Sequence, residues 1–127
     1  MKGSCEMEKL LKRAEELQER LVAWRRTVHR YAEPGGEEHR TAALVEAEAA
    51  RLGLPVIDGG QTSRIAVLDT GKPGKTVLLR ADMDALPVTE NPENLRGQRC
   101  VLSENPGFSH ACGHDAHVAM ALGAAKV

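Results

Sequence analysis

Apolar residues recur at spacings of three and four along the first thirty positions. Met7, Leu10, Ala14, Leu17, Leu21, Trp24 and Val28 lie among Glu, Lys, Arg and Gln. That period belongs to an amphipathic helix, and it predicts one long helix from Glu6 to Arg30. The spacing is nearly heptadic, but the run is too short to favour a coiled coil over a helix packed on a domain. Glu33-Pro34-Gly35-Gly36 breaks the pattern. A second helix is predicted from Glu37 to Leu52, with Ala42, Val45, Ala49 and Leu52 on its apolar face and Gly53 as its stop.

The period then changes. Leu54-Pro55-Val56-Ile57 reads as a short extended segment and Asp58-Gly59-Gly60 as a turn. Arg64 to Leu68 and Thr76 to Ala81 read as two strands, with Asp69 to Lys75 as the hairpin turn between them. The second run is almost unbroken in its apolarity, which predicts a strand buried on both faces. Residues 87–108 carry Pro92, Gly97, Pro106 and Gly107 and read as a long irregular loop, functional or mobile. The closing stretch from Val118 to Val127 is apolar and rich in small residues, as a closely packed helix would be. It stops without a cap, which reads as truncation inside a helix.

Composition narrows the function classes. The 127 residues carry 17 basic and 18 acidic side chains, for a net charge of −1. Bulk electrostatics therefore favours neither nucleic acid nor an anionic membrane. No apolar run approaches a membrane span and no signal-peptide core is present. Cys5, Cys100 and Cys112 are too few and too scattered for a disulfide framework, so a reducing cytoplasm is the simplest compartment.

The chemistry concentrates in two places. His110-Ala-Cys112-Gly-His114-Asp115-Ala-His117 packs imidazole, thiol and carboxylate into eight residues. These are the ligand types of zinc-like metals. In an extended loop, residues two apart face one side, which would let His110, Cys112 and His114 converge, with Gly113 free to bend. A helix starting near Asp115 would favour the Cys112 thiolate. The plainer alternative is a set of polar loop histidines around a structural thiol. Arg80-Ala-Asp82-Met-Asp84-Ala-Leu-Pro87 sits at the carboxyl end of the second predicted strand, where open α/β sheets bind ligands. Asp82 and Asp84 would face the same side; the alternative is a solvated strand end paired with Arg80. Arg25, Arg26 and His29, and Glu37 with Glu38, read as solvated faces or caps, and the Gly71–Lys75 stretch lacks phosphate-loop spacing.

Together, Arg80–Pro87 and His110–His117 resemble the amidohydrolase branch of the aminoacylase and carboxypeptidase metallopeptidases, which includes hippurate hydrolase, N-acyl-amino-acid amidohydrolase and the auxin-conjugate hydrolases. Trp24-Arg-Arg-Thr-Val-His29 and Glu37-Glu38-His-Arg-Thr41 are similar to its opening helices. The resemblance implies an α/β, zinc-exopeptidase-like three-layer catalytic domain of which residues 1–127 are the amino-terminal part. It implies two divalent metal ions (Zn, Mn, Co or Ni) and a small N-acyl amino acid or peptide as substrate. Cys112 and His114 map to metal ligands, and Asp84 to a catalytic aspartate that orients a ligand. Asp82, His110, Asp115 and His117 map behind them.

The glutamate base, a further carboxylate ligand and two further histidines would lie beyond Val127. So would an inserted domain, often the element through which such enzymes form a homodimer. A non-catalytic metal- or partner-binding remnant and a thiol redox sensor built on Cys112 are the competing readings.

Overall fold

The computed structural model describes residues 2–127, with side chains from residue 5 onward. Its elements are α1 (Lys2–Glu16), α2 (Gln18–Arg30), α3 (His39–Arg51), β1 (Val56–Asp58), β2 (Arg64–Ala66), β3 (Glu93–Asn94), β4 (Gly97–Gln98) and α4 (His114–Lys126). The single long helix expected at the start is two helices. The Leu17 amide bonds to the Ala14 carbonyl at 3.1 Å, a tight turn that interrupts the ladder. No helix among the described residues is long and apolar enough to cross a membrane.

The apolar stripe of α2 makes the core. Trp24 and Val28 pack against Val118, Ala119 and Leu122 of α4, with Leu21, Leu44, Val45 and Met83 closing the edges. Gly123 permits close approach, because a Cβ there would meet Leu21 Cδ2 at 2.6 Å. The α3 helix ends as its sequence predicts. Gly53 takes φ 71°, its amide bonds to Ala50 O, and Leu54 N bonds to Ala49 O, the double closure of a Schellman motif.

The start of α3 is held from a distance. The Glu33 carboxylate accepts the amides of Arg40 and Thr41 and the Thr41 hydroxyl at 2.8–2.9 Å. This places a negative charge on a helix N-terminus, where the dipole favours it. The same residue's carbonyl accepts the Ala85 amide at 2.7 Å. Leu86 and Ser109 exchange two backbone hydrogen bonds at 3.0 Å. Residues 84–86 are thus clasped from both sides.

The strand expectations need correction. β1 pairs antiparallel with β2 in the register Val56↔Ala66, Ile57↔Ile65 and Asp58↔Arg64. The hairpin therefore closes at residues 59–63, where Gly60 and Gln61 take positive φ, and not at residues 69–75. The run at 76–81 has no strand beside it among the described residues, and burial on both faces fails: Val77 is 86% and Leu78 83% exposed. A cleft of ≈ 320 Å³ separates Leu79 and Arg80 from Met120, Ala121 and Ala124 of α4. Strand pairing among the described residues is confined to two separate two-stranded sheets, β1–β2 and β3–β4. The irregular stretch at 87–108 contains the small β3–β4 hairpin. It hangs from the end of α2 through Glu104 N to Arg30 O at 2.7 Å and Asn105 Nδ2 to Ala32 O at 2.9 Å.

These packing differences have a measurable consequence. Val118→Ala removes two methyl groups from a side chain at 2% exposure, and should cost about 2–3 kcal/mol of stability. Leu78→Ala should change stability by less than about 0.5 kcal/mol. Urea unfolding followed by circular dichroism compares the two; equal losses would contradict the packing described.

Candidate metal centre

The turn before α4 sets the geometry. Gly113 takes φ 84° and occupies the N-cap position. Its amide bonds back to His110 O at 3.1 Å, and its carbonyl receives the amides of Ala116 and His117 at 3.0 and 3.2 Å. The backbone from His110 to His114 is therefore a tight turn rather than an extended loop. Alternation does not operate in it, and the expected convergence of His110, Cys112 and His114 is corrected. His110 turns inward to 6% exposure, Cys112 is exposed, and His114 opens α4.

Asp82 and Asp84 do share a side, as their spacing predicts. Met83 between them packs on the core, which turns its two neighbours away from it. The Asp84 carboxylate and its own carbonyl oxygen each lie 2.9 Å from His114 Nδ1. Both are acceptors, so Nδ1 is the nitrogen that donates, which leaves Nε2 as the atom that can face a cation. A carboxylate behind a histidine in this way is the arrangement that orients imidazoles toward metals. His117 lies one turn on, its ring stacked on His114 at 5.4 Å between centroids. Donor atoms of Asp82, His114 and His117 fall within 4.8 Å of one another. Arg80 approaches Asp82 at 2.7 Å, and this hydrogen-bonded guanidinium holds the exposed Asp82 carboxyl below the usual carboxylate range. Cys112 stands outside that trio.

Behind the cluster lies a buried charge network that the sequence reading missed. Asp115, at 1% exposure, receives His29 Nδ1 and Arg25 Nε on Oδ2, each at 2.7 Å. His29 Nε2 donates to Glu90 Oε1 at 2.8 Å. The other Glu90 oxygen accepts the Ser103 amide at 2.9 Å. His29 is itself 2% exposed, so its reading as a solvated face is corrected. Arg25 and His29 flank the apolar stripe of α2 one step from Trp24 and Val28, which was the available signal. Glu38 is likewise buried, accepting the Gly36 amide and the Thr62 hydroxyl.

Two neighbouring imidazoles shift in opposite directions. The Asp115 hydrogen bond, helped by Glu90 and opposed by burial, raises the His29 pKa. Burial lowers that of His110, and the His29 charge adds to the effect. Their ring centroids are 6.2 Å apart, and neither ring nitrogen of His110 has a hydrogen-bond partner. The surroundings therefore favour the protonated form of His29 and the neutral form of His110. For Asp115 itself, burial pushes the carboxyl up, but His29 and Arg25 outweigh it and hold it low.

The signs fix a pH profile for stability. A raised histidine contributes fully below the unfolded value of about 6.5 and loses that contribution as pH climbs through the folded value. A lowered histidine costs stability as pH falls below about 6.5. Stability should therefore peak near neutral pH and fall on both sides. Thermal unfolding across pH 5–9 checks this: His29→Gln should flatten the alkaline limb and His110→Gln the acid limb.

This geometry has relatives. Residues 78–127 match the model of peptidase family M20/M25/M40. The chain is 43% identical over 121 residues to thermostable carboxypeptidase 1 of Saccharolobus solfataricus, covering 94% of the chain and 30% of that protein. It is 40% identical over 121 residues to the N-acyl-L-amino acid amidohydrolase of Geobacillus stearothermophilus, covering 94% and 31%. The chain thus spans under a third of the length of these curated relatives. Its backbone matches the crystal structure of the Bacillus subtilis YXEP protein, a dinuclear metal binding peptidase from the M20 family. The TM-score there is 0.74 at 29% identity, covering 85% of this chain and 29% of that one. The fold of this chain is that of the corresponding part of the M20-family peptidase. Since the matched segment holds both the Asp82–Asp84 pair and the Cys112–His117 turn, the chain belongs to peptidase family M20/M25/M40.

Proposed function

We propose that the whole protein is a metal-dependent hydrolase of amide bonds in N-acyl amino acids or small peptide-like substrates, and that this chain contributes part of a two-metal site. The observation that carries the reading is His114, held by Asp84 at Nδ1 so that Nε2 is left for a cation. Imidazole, carboxylate and thiolate donors suit zinc, manganese, cobalt or nickel. Cys112 and His114 hold the metals in this reading, and Asp84 orients the His114 ring. Asp82 and His117 stand within reach of the same ion, while His110 and Asp115 lie behind. When bound, such ions supply a low-pKa water and polarise the scissile carbonyl. Arg80 keeps Asp82 ionised and ready to face a cation.

A proton-carrying glutamate and the remaining ligands belong to the rest of the whole protein in this reading, as does any dimerisation element. A reducing cytoplasm suits three free cysteines. The exposed run at Val77 to Leu79 favours a second reading, in which the chain completes its sheet and its site against another polypeptide; co-purification of a second chain supplying Glu and His ligands would select it.

The 127-residue chain should bind Co(II) with a thiolate-to-cobalt ultraviolet band that Cys112→Ser abolishes. His114→Gln should weaken binding by at least about tenfold. Hippurate should not be turned over at an enzyme-like rate by the chain alone. Absence of any cobalt binding would remove the reading's chemical basis, and rapid hippurate hydrolysis would show that the site is already complete.

A further inference from the structure

Asp115 follows His114 directly, in the first turn of α4. Its Oδ2 is fixed by His29 and Arg25 of α2, and its Oδ1 accepts the Ala116 amide at 2.9 Å. Successive residues on a helix differ by about 100° in azimuth. Anchoring Asp115 toward α2 therefore sets where His114 and His117 point, and it places them on the side of Asp82 and Asp84. The core contacts of Val118, Ala119 and Leu122 lie further along the helix and constrain its first turn less directly. His29 also reaches Glu90, which Arg99 approaches at 3.4 Å and which holds the Ser103 amide. One ring thus ties together α2, the start of α4 and the segment at 87–108, at 3% side-chain exposure.

We propose that His29 is a positioning residue of the metal centre: donating from both ends of its ring to Asp115 and Glu90, it fixes the first turn of α4 and so holds the His114 imidazole against Asp84. Its importance for catalysis rests on the hydrolase reading above, whereas its geometric effect does not. Glutamine at this position keeps donor groups but loses the charge and the reach to two opposed carboxylates. Removing a group behind a metal-binding histidine commonly lowers metal affinity 10- to 100-fold.

The test uses the 127-residue chain and two readouts. Long-range proton–nitrogen spectra of the imidazoles report the His114 tautomer without any metal, and Co(II) titration reports affinity and the cobalt visible spectrum. His29→Gln should convert His114 from a single Nδ1-protonated form to a tautomer mixture, weaken Co(II) about 10- to 100-fold and shift the visible band. Glu90→Gln should act in the same direction to a smaller extent, and decides the matter if His29→Gln does not fold. Glu48→Gln is the control. Glu48 is another buried carboxylate, bonded to Arg20 of α2 and to Arg51, and its loss should move neither readout.

An unchanged His114 tautomer and cobalt affinity in the folded variant would overturn the proposal. Equal effects from Glu48→Gln would also overturn it, by reducing His29 to a general stabiliser. If the wild-type chain binds no cobalt while its His114 tautomer still follows residue 29, the hydrolase reading fails and the positioning role stands.

Discussion

The arrangement depends on a carboxylate that has almost no water. An unpaired charge at the position of Asp115 would be strongly destabilising. Two cations, Arg25 and His29, come from α2 to meet it. Their approach directions restrict how α2 and α4 cross, and apolar packing then fills the space beneath. Directional charge selects the orientation, and the non-directional core of Trp24, Val28, Val118 and Leu122 consolidates it. Burial is the main force that holds the His110 pKa down, and the charge of the neighbouring His29 imidazole adds to it.

Asp84 gains its place from a different constraint. The segment carrying it has no sheet neighbours among the described residues, yet the backbone at 85–86 is bonded on both sides, to Glu33 and to Ser109. Glu33 performs two tasks with different atoms: its side chain covers the start of α3 and its carbonyl holds Ala85. The site is thus assembled from the ends of elements, as sites on a packed scaffold generally are.

Local periodicity made the helices legible. The α3 stop at Gly53 and the bend at Gly113 follow from single residues whose backbone freedom is known in advance. The common side of Asp82 and Asp84 follows from alternation around Met83. What the sequence could not show was long-range pairing. His29 and Asp115 are 86 positions apart, and although a place beside the apolar stripe of α2 hints that His29 is buried, nothing local names its partner. The run at 76–81 departs from its expected burial because an apolar run encodes a preference for burial without encoding what covers it. The turn at 110–114 departs from alternation because alternation holds only while the chain stays extended, and Gly113 ends that extension.

The unpaired run at 77–79 has a further consequence for how the molecule behaves in bulk. An extended apolar stretch with open amides and carbonyls is a template for other strands, and a net charge of −1 gives copies little colloidal repulsion. Its only local safeguards are Lys75 and Arg80, one at each end, where charged gatekeepers discourage edge-to-edge stacking. Arg80 is simultaneously engaged by Asp82. The ion pair that prepares a carboxylate for a cation therefore also anchors one of the two charges guarding against self-association.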